Sequence, residues 1–174
     1  YYTNQTTFDI NVSVTDSVPG MECNPSAKMK INTTQIPYTD CNSLLMAFNF
    51  PVSNASNGSD FNVSFVDVND IVDNNLSTTF KIIVDTNAPP NPNIHTLTRT
   101  KDENITITWD MPSGEPHFDY YKVYRSQTDF NSISSNQTLV CTQSTSTTCN
   151  DSSEKLPNTT YWYGVIAYDK AKNY

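Results

Sequence analysis

Hydrophobic and polar residues alternate with a period of two along most of this chain. Near the N terminus the run TTFDINVSV places Phe8, Ile10 and Val12 on one face, and the later run NITITWD does the same with Ile105 and Trp109. This period is typical of half-buried β-strands. Turn-forming clusters separate the runs at intervals of roughly ten residues, as in antiparallel sandwiches. We find no run with helical periodicity, so the pattern predicts an all-β protein.

The richest run is LPNTTYWYGVIAYDKAKN, residues 156–173. Its aromatic and β-branched residues predict a strand at the centre of a sheet, with Tyr163 and Val165 on one face and Trp162 on the other. The Pro-Asn turn before it is typical of the corner that opens strand F of a β-sandwich, where a tyrosine hydroxyl bonds to upstream backbone. Tyr161 is the predicted corner residue and Leu156 the apolar residue beneath it. The alternative is a central strand without a corner.

Several motifs occur here in one order: a tryptophan on an early strand (Trp109), then YKVYRS, LPNTTY and AYDKAKN. Together they resemble the fibronectin type III family, especially modules of prokaryotic cell-surface proteins. The resemblance covers residues 88–174, half of the chain. It implies a fibronectin-like sandwich there and says little about function, because this fold serves many purposes.

The cluster Pro89, Pro90 and Pro92 predicts a stiff, extended domain boundary. We therefore expect tandem antiparallel β-sandwiches, an immunoglobulin-like domain over residues 1–87 and a fibronectin type III-like domain over residues 88–174. The second domain lacks a last strand after AYDKAKN. One hypothesis is that residues 6–14, within the first fifteen residues, are donated to residues 162–168 of a neighbouring copy. The alternatives are that this segment is the first strand of its own domain, or that a longer chain supplies the missing strand.

Composition narrows the class of partner. The chain has 174 residues, a formal charge of -8 and only two arginines, Arg99 and Arg125. So acidic a surface repels phosphate backbones, which argues against nucleic-acid binding. No apolar run reaches transmembrane length and no signal peptide is present, so we expect either a processed chain or a piece of a longer one.

Sequons and cysteines indicate an extracellular or cell-surface glycoprotein. Strand alternation turns Asn11, Asn62 and Asn104 away from their apolar neighbours, where N-linked glycans could stand. The predicted glycosylation sites are Asn4, Asn11, Asn32, Asn54, Asn57, Asn62, Asn75, Asn104, Asn136, Asn150 and Asn158. The alternative is that such triplets arise by chance in a chain rich in Asn, Ser and Thr.

The four cysteines allow three disulfide pairings. We expect Cys23 with Cys41 and Cys141 with Cys149, because each bond then stays within one predicted domain. The spacings do not suit a zinc site, which needs close Cys or His pairs. We therefore interpret the four cysteines as structural disulfides of a protein in an oxidising compartment.

Catalytic motifs are missing from the sequence. His95 lies beside the linker and His117 in a Gly-Glu-Pro-His loop, with no nucleophile elbow near either, so both are predicted at the surface. Four widely spaced glycines form no phosphate loop. Paired carboxylates cannot be recognised from sequence, but a narrow two-sandwich chain leaves little room for a substrate cleft. We therefore predict that the chain is not an enzyme.

One acidic run could bind a metal. Asp67, Asn69, Asp70 and Asp73 follow a predicted strand, and their oxygen atoms suit calcium, which takes about six to eight oxygen ligands. The competing interpretation is a solvated acidic hairpin. Calcium is the only cofactor we consider.

Two functions remain. The first is a structural subunit or repeat of an extracellular glycoprotein assembly, such as a surface layer, sheath, filament or stalk, joined by β-strand addition to copies of itself or to neighbouring domains of a longer chain. The second is a binding or adhesion ectodomain, or an accessory module of a larger secreted protein, that recognises carbohydrate or protein. Sequons over both domains favour the first, since a recognition face needs bare surface. The clustered tyrosines and Trp162 are predicted to pack in the core.

Overall fold

The computed structural model describes residues 1–15, 20–21, 23–42, 44–69, 74–99, 104–111 and 113–174. Within these ranges the chain forms fourteen strands and no helix, which confirms the all-β prediction. The chain divides into two compact units, Tyr1–Thr86 and Asn87–Tyr174. Each is described separately below.

The first unit is a sandwich of two sheets. One has the strand order β1-β8-β7-β3-β4 and the other β2-β6-β5. Both contribute to one core: Ile10 and Phe48 from the smaller sheet pack with Met29 and Val63 from the larger. The strands are β1 Tyr2–Thr3, β2 Phe8–Thr15, β3 Lys28–Ile31, β4 Thr34–Pro37, β5 Asp40–Asn42, β6 Leu45–Val52, β7 Asp60–Val66 and β8 Phe80–Val84.

Strand β2 belongs to its own unit. It pairs with β6 over its whole length, from Phe8 opposite Val52 to Thr15 opposite Leu45. Its inward residue Ile10 is only 3% exposed in the core of the same unit. Releasing the strand would uncover that apolar surface, at a cost of roughly 25 cal/mol for each Å². The donation hypothesis is therefore corrected: in this chain the segment is a strand of the first unit.

The second unit is also a sandwich, with sheets ordered β13-β10-β9 and β12-β11-β14. Its core joins Ile107 and Trp109 from the first sheet to Tyr121, Val123 and Val165 from the second. This division of strands is that of an immunoglobulin- or fibronectin-like sandwich. The strands are β9 Ile94–Arg99, β10 Ile105–Trp109, β11 Phe118–Ser126, β12 Thr138–Ser144, β13 Thr148–Asp151 and β14 Trp162–Asp169.

Two disulfides link strands or loops within the units. Cys23 is bonded to Cys41 in the first unit, and Cys141 to Cys149 in the second. Such bonds are typical of proteins that fold outside the reducing cytosol. The described residues include no helix of the length and apolar character needed to cross a membrane.

Candidate interaction surfaces

The predicted tyrosine corner is present before β14. The Tyr161 hydroxyl accepts a hydrogen bond of 3.0 Å from the backbone N–H of Leu156, five residues upstream. The prediction for the Leu156 side chain is wrong, however, because that side chain is 60% exposed. The Arg125 guanidinium lies over the Tyr161 ring instead, 4.9 Å from its centre. A cation–π contact therefore takes the place of the expected apolar contact.

Beside the corner, Asp151 is buried at the end of β13 and is 1% exposed. Its Oδ2 atom accepts hydrogen bonds from Arg125 Nη1 at 2.9 Å and from the Tyr163 hydroxyl at 2.7 Å. The N–H of Ser153 donates to Oδ1 at 3.1 Å. Burial alone would raise the pKa of Asp151, but the hydrogen bonds from Ser153 and Tyr163 and the charge of Arg125 outweigh it and lower the pKa to about 2. This network joins the two sheets of the second unit.

Strand β14 pairs with β11 on one side only. The Lys170 N–H donates to His117 O on the β11 side, while the Asp169 N–H donates to Asn173 O on the other side. Backbone groups along a strand point alternately to its two edges. The N–H and C=O groups of Val165 and Ala167 therefore point to the second edge, on which no strand of the described residues pairs.

The interior of the sandwich is also open to solvent beside that edge, along the side between β9 and β14. We call this side of the sandwich its seam. Leu97 on β9 lies opposite Ile107, which is fully buried, so both side chains face the inside of the sandwich. Leu97 is nevertheless 53% exposed. An inward-facing leucine stays exposed because no described strand covers the rim between β9 and β14.

The first unit has a comparable open seam. Strand β2 pairs with β6, and no described strand pairs with its other edge. A groove of about 540 Å³ opens beside it, lined by apolar side chains that include Phe8, Ile10, Phe80 and Ile82. Within the described residues, each unit thus has an eight-residue strand with one unpaired edge next to uncovered apolar surface.

The outward face of β11 and β14 is aromatic. Tyr120 stacks on Tyr168 with 5.0 Å between ring centres, and Tyr168 contacts Tyr174 at 4.9 Å. Lys122 and Lys172 lie over these rings, 4.9 Å from the centres of Tyr168 and Tyr120 respectively. Burial, with the neighbouring Tyr124, raises the pKa of Tyr168. We call these five residues, Tyr120, Lys122, Tyr168, Lys172 and Tyr174, the tyrosine–lysine face.

Sequence reasoning missed this face because it assigned the tyrosines and the tryptophan to the core. Tyr121 and Tyr163 do contact the core. Tyr120 pairs with Tyr168, and Trp162 pairs with Ser126, on the opposite side of the sheet. The run YYKVY has aromatic residues on both faces, so alternation alone did not separate them.

The other outward face of the second unit is polar. Thr96 and Thr108 lie there with their hydroxyl oxygens 2.6 Å apart. Thr106 lies opposite the sequon residue Asn150, which is exposed. The two faces of this sandwich therefore differ in chemistry, and the tyrosine–lysine face has no sequon on its strands.

The predicted glycosylation sites lie at the surface of both units. Asn104 is half-buried, and the other ten sequon asparagines are exposed. Asn32, Asn54 and Asn158 have positive φ angles, which asparagine adopts more readily than most residues. The backbone conformation alone therefore favours asparagine at these three positions, independently of glycosylation.

The predicted calcium ligands are only partly visible. Asp67 is exposed and Asn69 half-buried, while Asp70 and Asp73 lie outside the described residues. Calcium binding there stays a prediction. Among the histidines, the exposed His95 pairs with Asp110 at 2.6 Å, in line with the expected surface position.

Comparison with known proteins gives little further information. No family model matches the chain, and no curated protein matches it. Chains of solved structures do match. One, described as a cytokine receptor complex, is 17% identical, covers 98% of this chain and 88% of its own length, and has a TM-score of 0.36. At that identity and score the likeness supports no inference about function.

Proposed function

We propose that this chain is a non-enzymatic structural module of an extracellular glycoprotein assembly, such as a surface layer, sheath, filament or stalk. The observation that carries the proposal is the distribution of sequons. Exposed sequon asparagines lie on both units, which suits a glycoprotein module and leaves little bare area for a recognition face.

Two further observations support an extracellular assembly. Each unit has one disulfide. All the sequon asparagines except the half-buried Asn104 are exposed, including Asn11 and Asn62 in the middle of strands. Glycans at those two positions would stand on sheet faces and leave the sheet edges accessible.

Surface proteolysis of the native cells tests the location. Intact cells are treated with a protease that does not enter them, and peptides of this chain are quantified by mass spectrometry. We expect the protease to release glycopeptides of this chain from intact cells. Without reduction, we also expect crosslinked peptides for each of its two disulfides. Protection of the chain until the cells are lysed would contradict the proposal.

The tyrosine–lysine face favours a second candidate, a binding or adhesion ectodomain. It is the aromatic sheet face of the second unit and carries lysines in a chain whose formal charge is -8. Large aromatic side chains are enriched at protein interfaces. Amine-reactive crosslinking on the native surface separates the candidates: crosslinks from Lys122 and Lys172 to a different protein favour binding, and crosslinks to copies of this chain favour assembly.

A further inference from the structure

We propose that the glycan at Asn136 folds back onto the second unit and occupies a polar hollow beside the tyrosine corner. The inference rests on the proposed glycoprotein function and assigns a binding site to the sugars of one glycan. The hollow has a volume of about 400 Å³. Besides Asn136, it is lined by Arg125, Ser126, Gln127, Thr128, Thr138 and Tyr161.

The chemistry of this hollow suits a sugar. Apart from Arg125 and Tyr161, the side chains around it carry hydroxyl or amide groups, which both donate and accept hydrogen bonds. Pockets that hold small molecules usually measure about 300 to 1,000 Å³ and are mainly apolar. The hollow is of that size, but its polar groups match a ligand rich in hydroxyls rather than an apolar one.

Arg125 is the charged donor of the hollow. Its hydrogen bonds to Asp151 and Ser153 both leave from Nη1, and its guanidinium lies over the Tyr161 ring. Because a guanidinium has five N–H groups, Arg125 has further donors beyond those two bonds. A sugar in the hollow would accept hydrogen bonds from them and would cover the network that joins the two sheets.

Asn136 is placed to supply that sugar. It lies in the wall of the hollow and starts a sequon that Thr138 completes. The turn around it is fixed, because the N–H and the hydroxyl of Ser134 both donate to Gln137 Oε1, at 2.6 and 2.9 Å. Glycosylation forms a bond from C1 of the first sugar to Asn136 Nδ2 and breaks the bond from C1 to the phosphate of its carrier, while the displaced amide proton passes to solvent. The tether then holds the sugar beside the hollow at a high effective concentration.

Other features do not account for asparagine at position 136. A second hollow that also reaches Tyr161 is lined by the sequon residue Asn158, but the positive φ angle of Asn158 already favours asparagine there. The Asn57 side chain is bonded, since its Oδ1 atom accepts the N–H of Thr86 at 2.7 Å. Asn136 has no positive φ angle, and its side chain makes no hydrogen bond within the described residues. Its amide is therefore available for a glycan.

Enzymatic release of the glycans tests this arrangement. The whole chain is produced in a secretory eukaryotic host that attaches oligomannose glycans, and a peptide-N-glycosidase is applied to the folded protein. Asn150, on the polar sheet face of the same unit, is the matched control. Because the enzyme acts only on the unseated fraction, a glycan seated about nine-tenths of the time is released about tenfold more slowly. We expect that difference between Asn136 and Asn150 in the folded chain, and similar rates at the two sites after unfolding and reduction.

Substitutions in the hollow separate seating from poor access to the turn. Gln127→Ala and Thr128→Val each remove a polar group from the hollow and keep both sequons. They should speed release at Asn136 several-fold and leave release at Asn150 unchanged. Slow release at Asn136 that neither substitution changes would mean that the turn itself excludes the enzyme, and would overturn the seating.

Hydrogen exchange gives an independent measurement. The Thr128 N–H donates to Ser126 Oγ at the hollow, so a seated glycan should slow its exchange with solvent. We expect several-fold faster exchange in Asn136→Gln, and no change in Asn150→Gln. Unchanged exchange in Asn136→Gln, equal release at the two sites of the folded chain, or a bare Asn136 would overturn the inference. Surface proteolysis is unaffected by these outcomes, so failure of the seating can be told apart from failure of the extracellular function.

Discussion

At the scale of single residues, Asp151 is the main polar link inside the second unit. Its carboxylate is almost fully buried and bonded to Arg125 and Tyr163 from the opposite sheet. A buried charge left without its partners is costly, whereas a fully bonded one fixes the geometry around it. The same Arg125 also lies over the corner residue Tyr161, so one cation connects the network to the start of β14.

We expect this network to make stability depend on pH. The folded pKa of Asp151 is about 2, below its ordinary value of 3.8. The ionised carboxylate therefore contributes about 2 kcal/mol above pH 3.8, and this contribution is lost as the pH falls through the folded pKa. Denaturant titrations at pH 7 and near pH 2 measure this loss. The free energy of unfolding should fall by about 2 kcal/mol more for the unchanged chain than for Asp151→Asn between the two pH values. The exposed Asp110 provides a control, since Asp110→Asn should retain the acid-induced loss.

The buried Tyr121 and the half-buried Tyr163 should respond in opposite ways to removal of their hydroxyls. The Tyr121 hydroxyl is buried, which raises its pKa, and it makes no hydrogen bond of normal geometry within the described residues, although the indole of Trp109 is close enough to lower that pKa. The Tyr163 hydroxyl donates to Asp151. Tyr121→Phe should leave the free energy of unfolding unchanged or raise it by up to about 1 kcal/mol. Tyr163→Phe should lower it by about 2 kcal/mol, because a bond to a charge is lost. Equal losses in both variants would show that the Tyr121 hydroxyl is bonded.

At the scale of elements, alternation predicted much of the fold. It placed Ile107 and Trp109 on the inward side of β10 and turned Asn11 outward on β2, as the structure has them. It could not show that β2 pairs with β6, because pairing partners lie far apart in sequence. Nor could it separate the two faces of β11, where aromatic residues occupy both. The tyrosine–lysine face and the open seams became visible only when neighbouring strands were in place.

Gly164 illustrates a contact that sequence alone does not indicate. A Cβ atom at this position of β14 would lie 2.8 Å from Cε2 of Phe130, whose ring covers the glycine. Gly164→Ala should therefore displace the ring and destabilise the second unit by about 1 kcal/mol. In a Phe130→Ala background the same change should be neutral or stabilising, because glycine inside a strand costs conformational entropy. A double-mutant cycle by chemical denaturation measures the coupling, and additive effects would contradict the contact.

The two disulfides should differ in their contributions. Cys23 and Cys41 are 18 residues apart, and Cys141 and Cys149 are 8 apart. The chain-entropy estimate gives about 3 kcal/mol for the longer loop and about 2.5 kcal/mol for the shorter. Replacing each pair by alanines and measuring the unfolding of the affected unit tests this order. A larger loss from the shorter loop would mean that native packing, not loop entropy, dominates.

At the scale of the whole molecule, the exposed sequons are not all independent. Asn32 and Asn62 both start sequons, and their side chains are in contact. The Asn32 Oδ1 atom accepts the backbone N–H of Asn62 at 2.9 Å and lies 3.4 Å from its Nδ2 atom, while Asn32 Nδ2 donates to Asp60 O at 3.1 Å. The two amides therefore occupy one small area of the first unit, and we expect glycans at the two positions to compete for the same space.

We predict that Asn32 and Asn62 do not carry glycans on the same molecule. Site occupancies, measured by enzymatic deglycosylation in isotope-labelled water, should sum to one or less for this pair. Occupancy at Asn62 should be the higher, because the Nδ2 atom of Asn32 is engaged with Asp60 O. Removing one sequon by Ser64→Ala keeps the Asn62 side chain in place and should raise occupancy at Asn32. Asn11 and Asn150, exposed on strands of different units, serve as controls whose occupancies should not respond. Full occupancy of Asn32 and Asn62 on the same molecule would contradict this prediction.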